Sequence, residues 1–438
     1  MAAQVIGWLV LLLVLAISIG VHELGHMVPA KLFGVRVPRY MIGFGPTLWS
    51  TRRGETEYGI KAIPLGGYTK LVGMIPPADV VGARPGTGAI AQLVQDAREA
   101  SAEEIEPGED HRAFYRLSTP KKVVVMAGGI LANLLMAVVL FAVVFSGIGT
   151  RATSLTLVEV PECVYPADAG ADFECSPGDP QSPGSAADIR PGDRLVSFDG
   201  QAIEEWSDFT VAVQGSEGSD LPLVVERDGA ELTLLVSPVE VERPVFDDDG
   251  NAVADDDGEI MTAPTRYIGV QPGWELQREP LSAVGPVVWE AVTGTGGAIL
   301  NLPMNLVDVG RSLVSGEERS GEVIGLVGMG QVAGQIAAAD GPSVTIAAQA
   351  ANMLVLAASL NMALFMFNLL PLVPLDGGHV VGALWEGAKR QWARLRGLPR
   401  PAPADTARMM PLAYGVFVIF GLMTVFLVVA DLVRPVTL

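Results

Sequence analysis

The stretch that decides the fold is residues 5–26, VIGWLVLLLVLAISIGVHELGH. From Val5 to Val21 it contains no charged side chain, and a helix needs about 20 apolar residues to cross a bilayer core. The run leads directly into His22-Glu23-Leu24-Gly25-His26. The chain begins Met-Ala-Ala-Gln, without the positive segment of a secretory signal peptide. We therefore interpret the run as a retained membrane helix.

Three further apolar stretches have the length of a membrane span. The chain has 438 residues, of which 50% are hydrophobic and only 18% are charged, which is low for a soluble protein of this size. The predicted fold is a polytopic α-helical membrane protein with four transmembrane helices. The three later stretches are Val123–Ile148, Val344–Leu375 and Met409–Ala430.

Charge is distributed unevenly between these spans. Residues 31–122 carry 13 Lys and Arg against 10 Asp and Glu, and residues 376–408 carry 6 against 3. Residues 149–346 carry 9 against 34. Because cytoplasmic loops are enriched in Lys and Arg, the two basic blocks are predicted to be cytoplasmic and the acidic block to lie outside the bacterial cytoplasmic membrane. No basic patch indicates a nucleic-acid partner.

The motif at the end of the first span has the chemistry of a zinc hydrolase. His22 and His26 are four residues apart, so on a helix they share one face and can bind one zinc ion. Glu23 is then placed as a general base toward an attacking water. A chance occurrence of these residue types is the alternative, but ionisable groups that continue an apolar span are costly and usually functional.

Asp376 is the predicted third zinc ligand. It is the first charged residue after the third apolar stretch, and Pro371 and Pro374 before it interrupt the helix. Irregular backbone at membrane depth is tolerated where it lines a buried site. A helix cap or a turn with the following glycines is the alternative role for Asp376.

Two further polar residues in this region are candidates. Asn368 lies in an apolar segment and could bind the substrate carbonyl or stabilise an oxyanion, although a helix–helix hydrogen bond is the alternative. His379 is a further possible ligand. We favour a supporting or structural role for it, because three ligands are already available and Gly377 and Gly378 make a helix there uncertain.

These motifs together resemble the site-2 protease family of intramembrane zinc metalloproteases, in its bacterial PDZ-containing branch. His22–His26 resembles the first family motif, and Asn368, Pro371, Asp376 and Gly377 resemble the second, in which the aspartate is the third ligand. The segment Gly128–Asn133 is similar to a glycine–asparagine motif of the second helix. The resemblance implies a Zn²⁺-dependent endopeptidase that cleaves single-span membrane proteins, such as pre-trimmed anti-sigma factors, near the cytoplasmic face during regulated intramembrane proteolysis.

Two regions between the spans have β character. Residues 36–74 alternate apolar and polar groups with many glycines, which predicts strands directly after the metal helix. The resemblance implies a membrane-associated β-element here that pairs with unwound substrate, and a plain cytoplasmic hairpin is the alternative. In the acidic block, Ser185–Gly200 resembles a PDZ segment, and Asp228-Gly229 predicts a hairpin turn. A PDZ groove binds a peptide segment, and a spacer without a peptide is the alternative.

The two cysteines of the chain lie in the acidic block. Cys163 and Cys175 could form a disulfide if this block is extracytoplasmic, or remain free thiols.

A metal transporter and a non-enzymatic scaffold are the alternative functions. The nearly charge-free spans and the intact ligand set disfavour both.

The domain organisation follows from the elements described above. The predicted segments are 1–31, first span; 32–74, β-element; 75–120, cytoplasmic insertion with a helix at Ala89–Ala102; 121–148, second span; 158–272, PDZ-like α+β domain; 273–343, membrane-surface connector; 344–375, third span; 376–408, cytoplasmic loop with an interfacial helix; and 409–431, fourth span.

Overall fold

The computed structural model describes residues 2–84, 86–165, 175–245, 261–315, 323–339 and 344–435. The chain divides into two compact units. One, here the helical unit, comprises Met1–Gly149 and Arg278–Leu438, and the other, here the β unit, comprises Thr150–Gln277.

Twelve helices and ten strands make up the described chain. The helices are α1 Ala2–Leu32, α2 Ala78–Val81, α3 Ala89–Glu103, α4 Thr119–Ala142, α5 Pro183–Ala186, α6 Trp206–Gln214, α7 Val284–Leu300, α8 Leu302–Ser315, α9 Leu326–Ala338, α10 Ile346–Leu369, α11 Asp376–Leu395 and α12 Met410–Val433. The strands are β1 Arg39–Arg53, β2 Thr56–Lys70, β3 Thr150–Glu159, β4 Arg194–Phe198, β5 Gln201–Ala202, β6 Leu221–Arg227, β7 Ala230–Val236, β8 Val239–Pro244, β9 Thr262–Tyr267 and β10 Gln271–Gln277.

Within the described ranges, four helical segments are long and apolar enough to cross a membrane, as the sequence predicts. Each differs in its bounds from the prediction. The second begins at Thr119 rather than Val123 and continues from α4 through a π-helical turn to its predicted end at Ile148. The third ends at Leu369 rather than Leu375, since Pro371 cannot extend it. The four segments are Ala2–Leu32, Thr119–Ile148, Ile346–Leu369 and Thr406–Val433.

Helices α1 and α4 touch through their backbones. A Cβ on Gly25 would lie 2.3 Å from the Gly128 carbonyl oxygen, and a Cβ on Gly128 would lie 2.0 Å from that of Gly25. Small residues allow such close approach between membrane helices. Helix α10 packs against α4 through a buried cluster that includes Met362 and Phe365. Helix α1, which carries His22 and His26, and helix α10, which precedes Asp376, are thus both packed against α4.

The β-element folds back on itself beside α1. Strand β1 begins between two segments of β2, with Tyr40 paired to both Tyr58 and Thr69. The Tyr40 hydroxyl donates to the Gly20 carbonyl oxygen of α1 at 2.7 Å. The segment Gly67–Lys70 is consequently an edge of this sheet, fixed to the metal helix.

The β unit is a mixed α/β structure around one core. Its main sheet has the order β10-β3-β4-β6-β7, with β5 on β4, and β8 pairs with β9. The predicted turn at Asp228-Gly229 joins β6 to β7, with both residues at positive φ. Cys163 and Cys175 form a disulfide, which decides the open question about these residues.

A buried ion pair closes one side of this core. Asp193 is 1% exposed and accepts from Arg227 Nε at 2.7 Å and from the Arg190 backbone N–H at 2.9 Å. Burial acts to raise the pKa of Asp193, but the hydrogen bonds from Arg227 and Arg190 outweigh it and hold the pKa below its usual value. The carboxylate is therefore charged and satisfied at neutral pH.

The segment after the β unit differs from the predicted connector in its first residue. It begins at Arg278 rather than residue 273, because β10 continues to Gln277 and pairs with β3. Helix α9 packs within the bundle against α1, with the Ala333 backbone in contact with Gly7. The helix at Ala89–Ala102 is present as α3, one residue longer.

Candidate metal centre

Helix α1 places His22 and His26 on one face. Their Nε2 atoms lie 3.2 Å apart, as expected for residues separated by four positions. His26 is buried, and His22 lies at the edge of the buried region. The two nitrogens can therefore contact one ion.

Asp376 reaches the same point from the other end of the chain. Helix α10 ends at Leu369, a short loop follows, and α11 begins with Asp376. The Asp376 Oδ2 atom lies 3.2 Å from the Nε2 atoms of both His22 and His26. The structure thus brings together the three side chains that the sequence predicts as ligands.

The glycines after Asp376 permit this turn. A Cβ on Gly377 would lie 2.3 Å from the Leu370 carbonyl oxygen, and a Cβ on Gly378 would lie 2.7 Å from the Leu372 carbonyl carbon. The sequence left a helix at these glycines open, and α11 runs through both. Their small size lets the preceding loop fold against the first turn of α11.

The geometry of these three atoms fits zinc. Ligand atoms about 2.0–2.1 Å from a tetrahedral zinc ion are separated by about 3.3–3.4 Å. The three observed separations are each 3.2 Å. Two imidazoles and a carboxylate leave a fourth position open, which is the pattern of a catalytic rather than a structural zinc site.

The backbone of α4 orients His26. Its Nδ1 lies 2.8 Å from the Val125 carbonyl oxygen, so Nδ1 carries the proton and Nε2 is free for a metal. One turn further, a Cβ on Gly129 would lie 2.2 Å from Nε2. The ring therefore lies directly on the α4 backbone, where only glycine leaves space.

Asn133 of α4 contacts the other imidazole. It is fully buried, its Nδ2 lies 3.2 Å from His22 Nδ1, and its Oδ1 has no partner among the described residues. Metal binding through His22 Nε2 leaves a proton on Nδ1, and a rotated Asn133 amide would accept a hydrogen bond from that N–H through Oδ1. The unpartnered oxygen is thus accounted for by a metal-binding His22.

We expect Asn133→Ala to weaken zinc binding by about 10- to 100-fold, because His22 loses the group that orients its ring. Zinc content at graded chelator concentrations measures this effect. Asn133→Asp keeps an acceptor and should retain most of the affinity. Equal zinc affinity in Asn133→Ala and the unmodified protein would show that the contact is not used.

Glu23 follows His22 in α1 and lies beside the edge strand. Its side chain is buried, and its backbone oxygen accepts from the Thr69 hydroxyl at 3.0 Å. A Cβ on Gly67 would lie 3.3 Å from Glu23 Cγ and 2.9 Å from the Met41 carbonyl oxygen. Glycine at 67 therefore lets the strand approach Glu23.

The remaining sequence candidates lie outside the cluster of three ligand atoms. Asn368 is in the last turn of α10, where its Nδ2 donates to the Leu364 carbonyl oxygen at 3.0 Å. His379 is in α11 and lines a cavity of about 470 Å³.

Comparison with known proteins agrees with this geometry. The model of peptidase family M50 matches residues 10–398. The zinc metalloprotease Rip1 of Mycobacterium tuberculosis is 32% identical over 454 aligned positions, covering 99% of both chains. Rip1 of Mycolicibacterium smegmatis is 29% identical over 99% of this chain and 98% of its own, and the metalloprotease MmpA of Caulobacter vibrioides is 28% identical over 87% and 86%. The chain therefore belongs to peptidase family M50, the site-2 proteases, and is a zinc metalloprotease.

Proposed function

We propose that this protease cleaves the transmembrane segments of single-span membrane proteins, such as pre-trimmed anti-sigma factors, in regulated intramembrane proteolysis. The observation that carries the proposal is the origin of the three ligand atoms. His22 and His26 belong to a helix long enough to span a membrane, and Asp376 follows another such helix by seven residues. A hydrolytic site made from spans meets its substrates in the bilayer.

In this proposal His22, His26 and Asp376 hold zinc, and Glu23 is the general base. The bound ion would lower the pKa of a water molecule and polarise the scissile carbonyl. The Glu23 carboxylate accepts a proton from the attacking water and delivers it to the leaving amide nitrogen. Asn368 is proposed to position the substrate carbonyl, with its amide turned from Leu364 toward the substrate.

The edge strand Gly67–Lys70 is proposed to present the substrate. An amide within a helix is already hydrogen-bonded, so it must be unwound before attack. An edge strand offers free backbone groups that hold a peptide in extended form. This edge lies beside Glu23, as the Thr69 hydrogen bond and the contact of Gly67 indicate.

The proposed orientation follows the charge distribution. The basic loops 31–122 and 376–408 are cytoplasmic, the β unit lies outside the cytoplasmic membrane, and the metal centre lies near the cytoplasmic face. The β unit is proposed to be a PDZ domain. Strand β10 is an edge strand of its sheet, which is where an extended peptide segment can add.

The test compares two forms of one substrate in reconstituted vesicles. A reporter with a single transmembrane segment should be cleaved within that segment, and a soluble peptide of flanking sequence should not. Mass spectrometry of the products locates the cut. Cleavage confined to soluble regions would refute the intramembrane assignment while leaving the metalloprotease identity intact.

Proline substitutions test the role of the edge strand. We expect Tyr68→Pro or Thr69→Pro to reduce reporter cleavage about tenfold with unchanged zinc content, because proline removes a backbone donor and disturbs the strand. Ser50→Pro is the matched control, because it lies on the opposite edge of the same element. Unchanged cleavage in both edge-strand variants would rule out backbone pairing with the substrate.

A further inference from the structure

Helix α11 continues from the zinc ligand Asp376 for five turns and has two unlike faces. On one face Glu386 is 2% exposed and accepts from Lys122 at 2.9 and 3.0 Å and from the Ala404 backbone N–H at 2.9 Å. Arg390 pairs with the same carboxylate at 2.6 Å. The Glu386 side chain on this face is thus buried and bonded to other parts of the protein.

The opposite face carries an exposed apolar stripe. Trp385 is 63% exposed and Trp392 is 58% exposed, seven residues and about two turns apart. The other members of the stripe recur at helical spacing on the same side: Val381, Leu384 and Leu395, which are 49%, 54% and 76% exposed. An apolar stripe of this kind with two tryptophans is typical of a helix at a membrane interface.

Two cations border this stripe on one side. Lys389 and Arg396 are also seven residues apart, and both are exposed. The Arg396 guanidinium lies 4.5 Å from the Trp392 ring centre. Neither cation has a carboxylate partner among the residues that the structure describes.

A groove of about 720 Å³ runs along the same side of α11. Its walls are apolar and come from α11 and from the segment that turns back after it, and Lys389 also lines it. The apolar side chains that line the groove include Trp385, Ala388, Trp392, Leu398 and Pro399. The groove thus combines an apolar floor with unpaired positive charge, which complements a lipid with an anionic headgroup.

We propose that this groove binds an anionic phospholipid of the cytoplasmic leaflet. Its acyl chains lie along Trp385, Trp392 and Leu398, and its phosphate contacts Lys389 and Arg396. The proposal depends on the cytoplasmic placement of residues 376–408 proposed above. It also links lipid to the metal centre, because the helix that binds the lipid begins with Asp376.

The experiment titrates the purified full-length protein in detergent with phosphatidylglycerol and, separately, with phosphatidylcholine, and counts bound lipids by native mass spectrometry. Each cation near a membrane surface contributes roughly a fivefold effect on anionic lipid affinity. We expect Lys389→Ala with Arg396→Ala to weaken phosphatidylglycerol binding about 30-fold. Phosphatidylcholine should bind weakly to all variants.

Arg394→Ala is the matched control, since Arg394 is exposed on the same helix but lies away from the stripe. It should change the affinity less than twofold. Equal binding of the two lipids, an equal loss in Arg394→Ala, or a dimer peak in place of lipid adducts would overturn the proposal. The readout requires no proteolysis, so a failure here is distinct from a failure of the proposed cleavage. Unchanged zinc content in the double variant confirms that the fold is intact.

Discussion

Glu23→Gln is expected to retain zinc and lose cleavage of the membrane reporter by about 1000-fold. The amide has nearly the same shape as the carboxylate but cannot take a proton from water, and general-base catalysis typically contributes about 100- to 10,000-fold. The three predicted ligands, His22, His26 and Asp376, are untouched by this change. Zinc content by plasma mass spectrometry and reporter cleavage in the same vesicles measure the two effects separately.

His22→Ala is the contrasting variant, because it should lose zinc and cleavage together. If Glu23→Gln cleaves at the normal rate, another group is the base and the assigned mechanism is wrong. If Glu23→Gln loses zinc as readily as His22→Ala, Glu23 acts on the metal instead. Both outcomes separate the role of Glu23 from the identity of the protein as a zinc metalloprotease.

The four apolar helices and the clustering of His22, His26 and Asp376 were predictable from sequence because their signals are local. The charge-free run before His22 indicates a span, and the spacing to His26 indicates a shared helical face. Asp376 stands out as the first charge after a long apolar stretch, behind two prolines. The end of α10 at Leu369 shows the physical effect of those prolines.

The groups that hold the ligands in place were not predictable in the same way. Asn133 and Gly129 belong to a motif that the sequence shows, but their roles depend on the angle and separation at which α4 crosses α1. Asn361 is fully buried and donates to the Ser18 hydroxyl at 2.9 Å, a contact between residues 343 positions apart. The sequence shows a polar residue within a span, but it does not show which residue that side chain contacts.

The packing partner of α9 was not predictable for a related reason. The sequence shows only an apolar, glycine-rich segment without a clear function, which was assigned to a membrane-surface connector. Small residues on both helices let it approach α1 closely, and the Asp431 carboxylate of α12 accepts from the Gly328 backbone N–H at 2.7 Å. These tertiary contacts, which the sequence does not show, determine where α9 packs.

The α4 surface beneath His26 is the second site where a large effect is expected. The imidazole lies over the turn from Val125 to Gly129, with Nδ1 bonded to the Val125 carbonyl oxygen at 2.8 Å. A Cβ on Gly129 would lie 2.2 Å from Nε2, closer than any real contact permits. One added methyl group must therefore shift the ring or the helix, and we expect this to strain the hydrogen bond and to move Nε2 away from the other two predicted ligand atoms.

We expect Gly129→Ala to lower zinc affinity at least about 100-fold, because loss of an orienting contact alone costs about 10- to 100-fold and here the ligand atom itself moves. Reporter cleavage should fall with zinc occupancy and recover in part when excess zinc is added. Gly147→Ala is the matched control, since a Cβ there would meet nothing within 4 Å. Normal zinc affinity in Gly129→Ala would mean that the ring tolerates displacement, and the support of His26 by α4 would then not be required for metal binding.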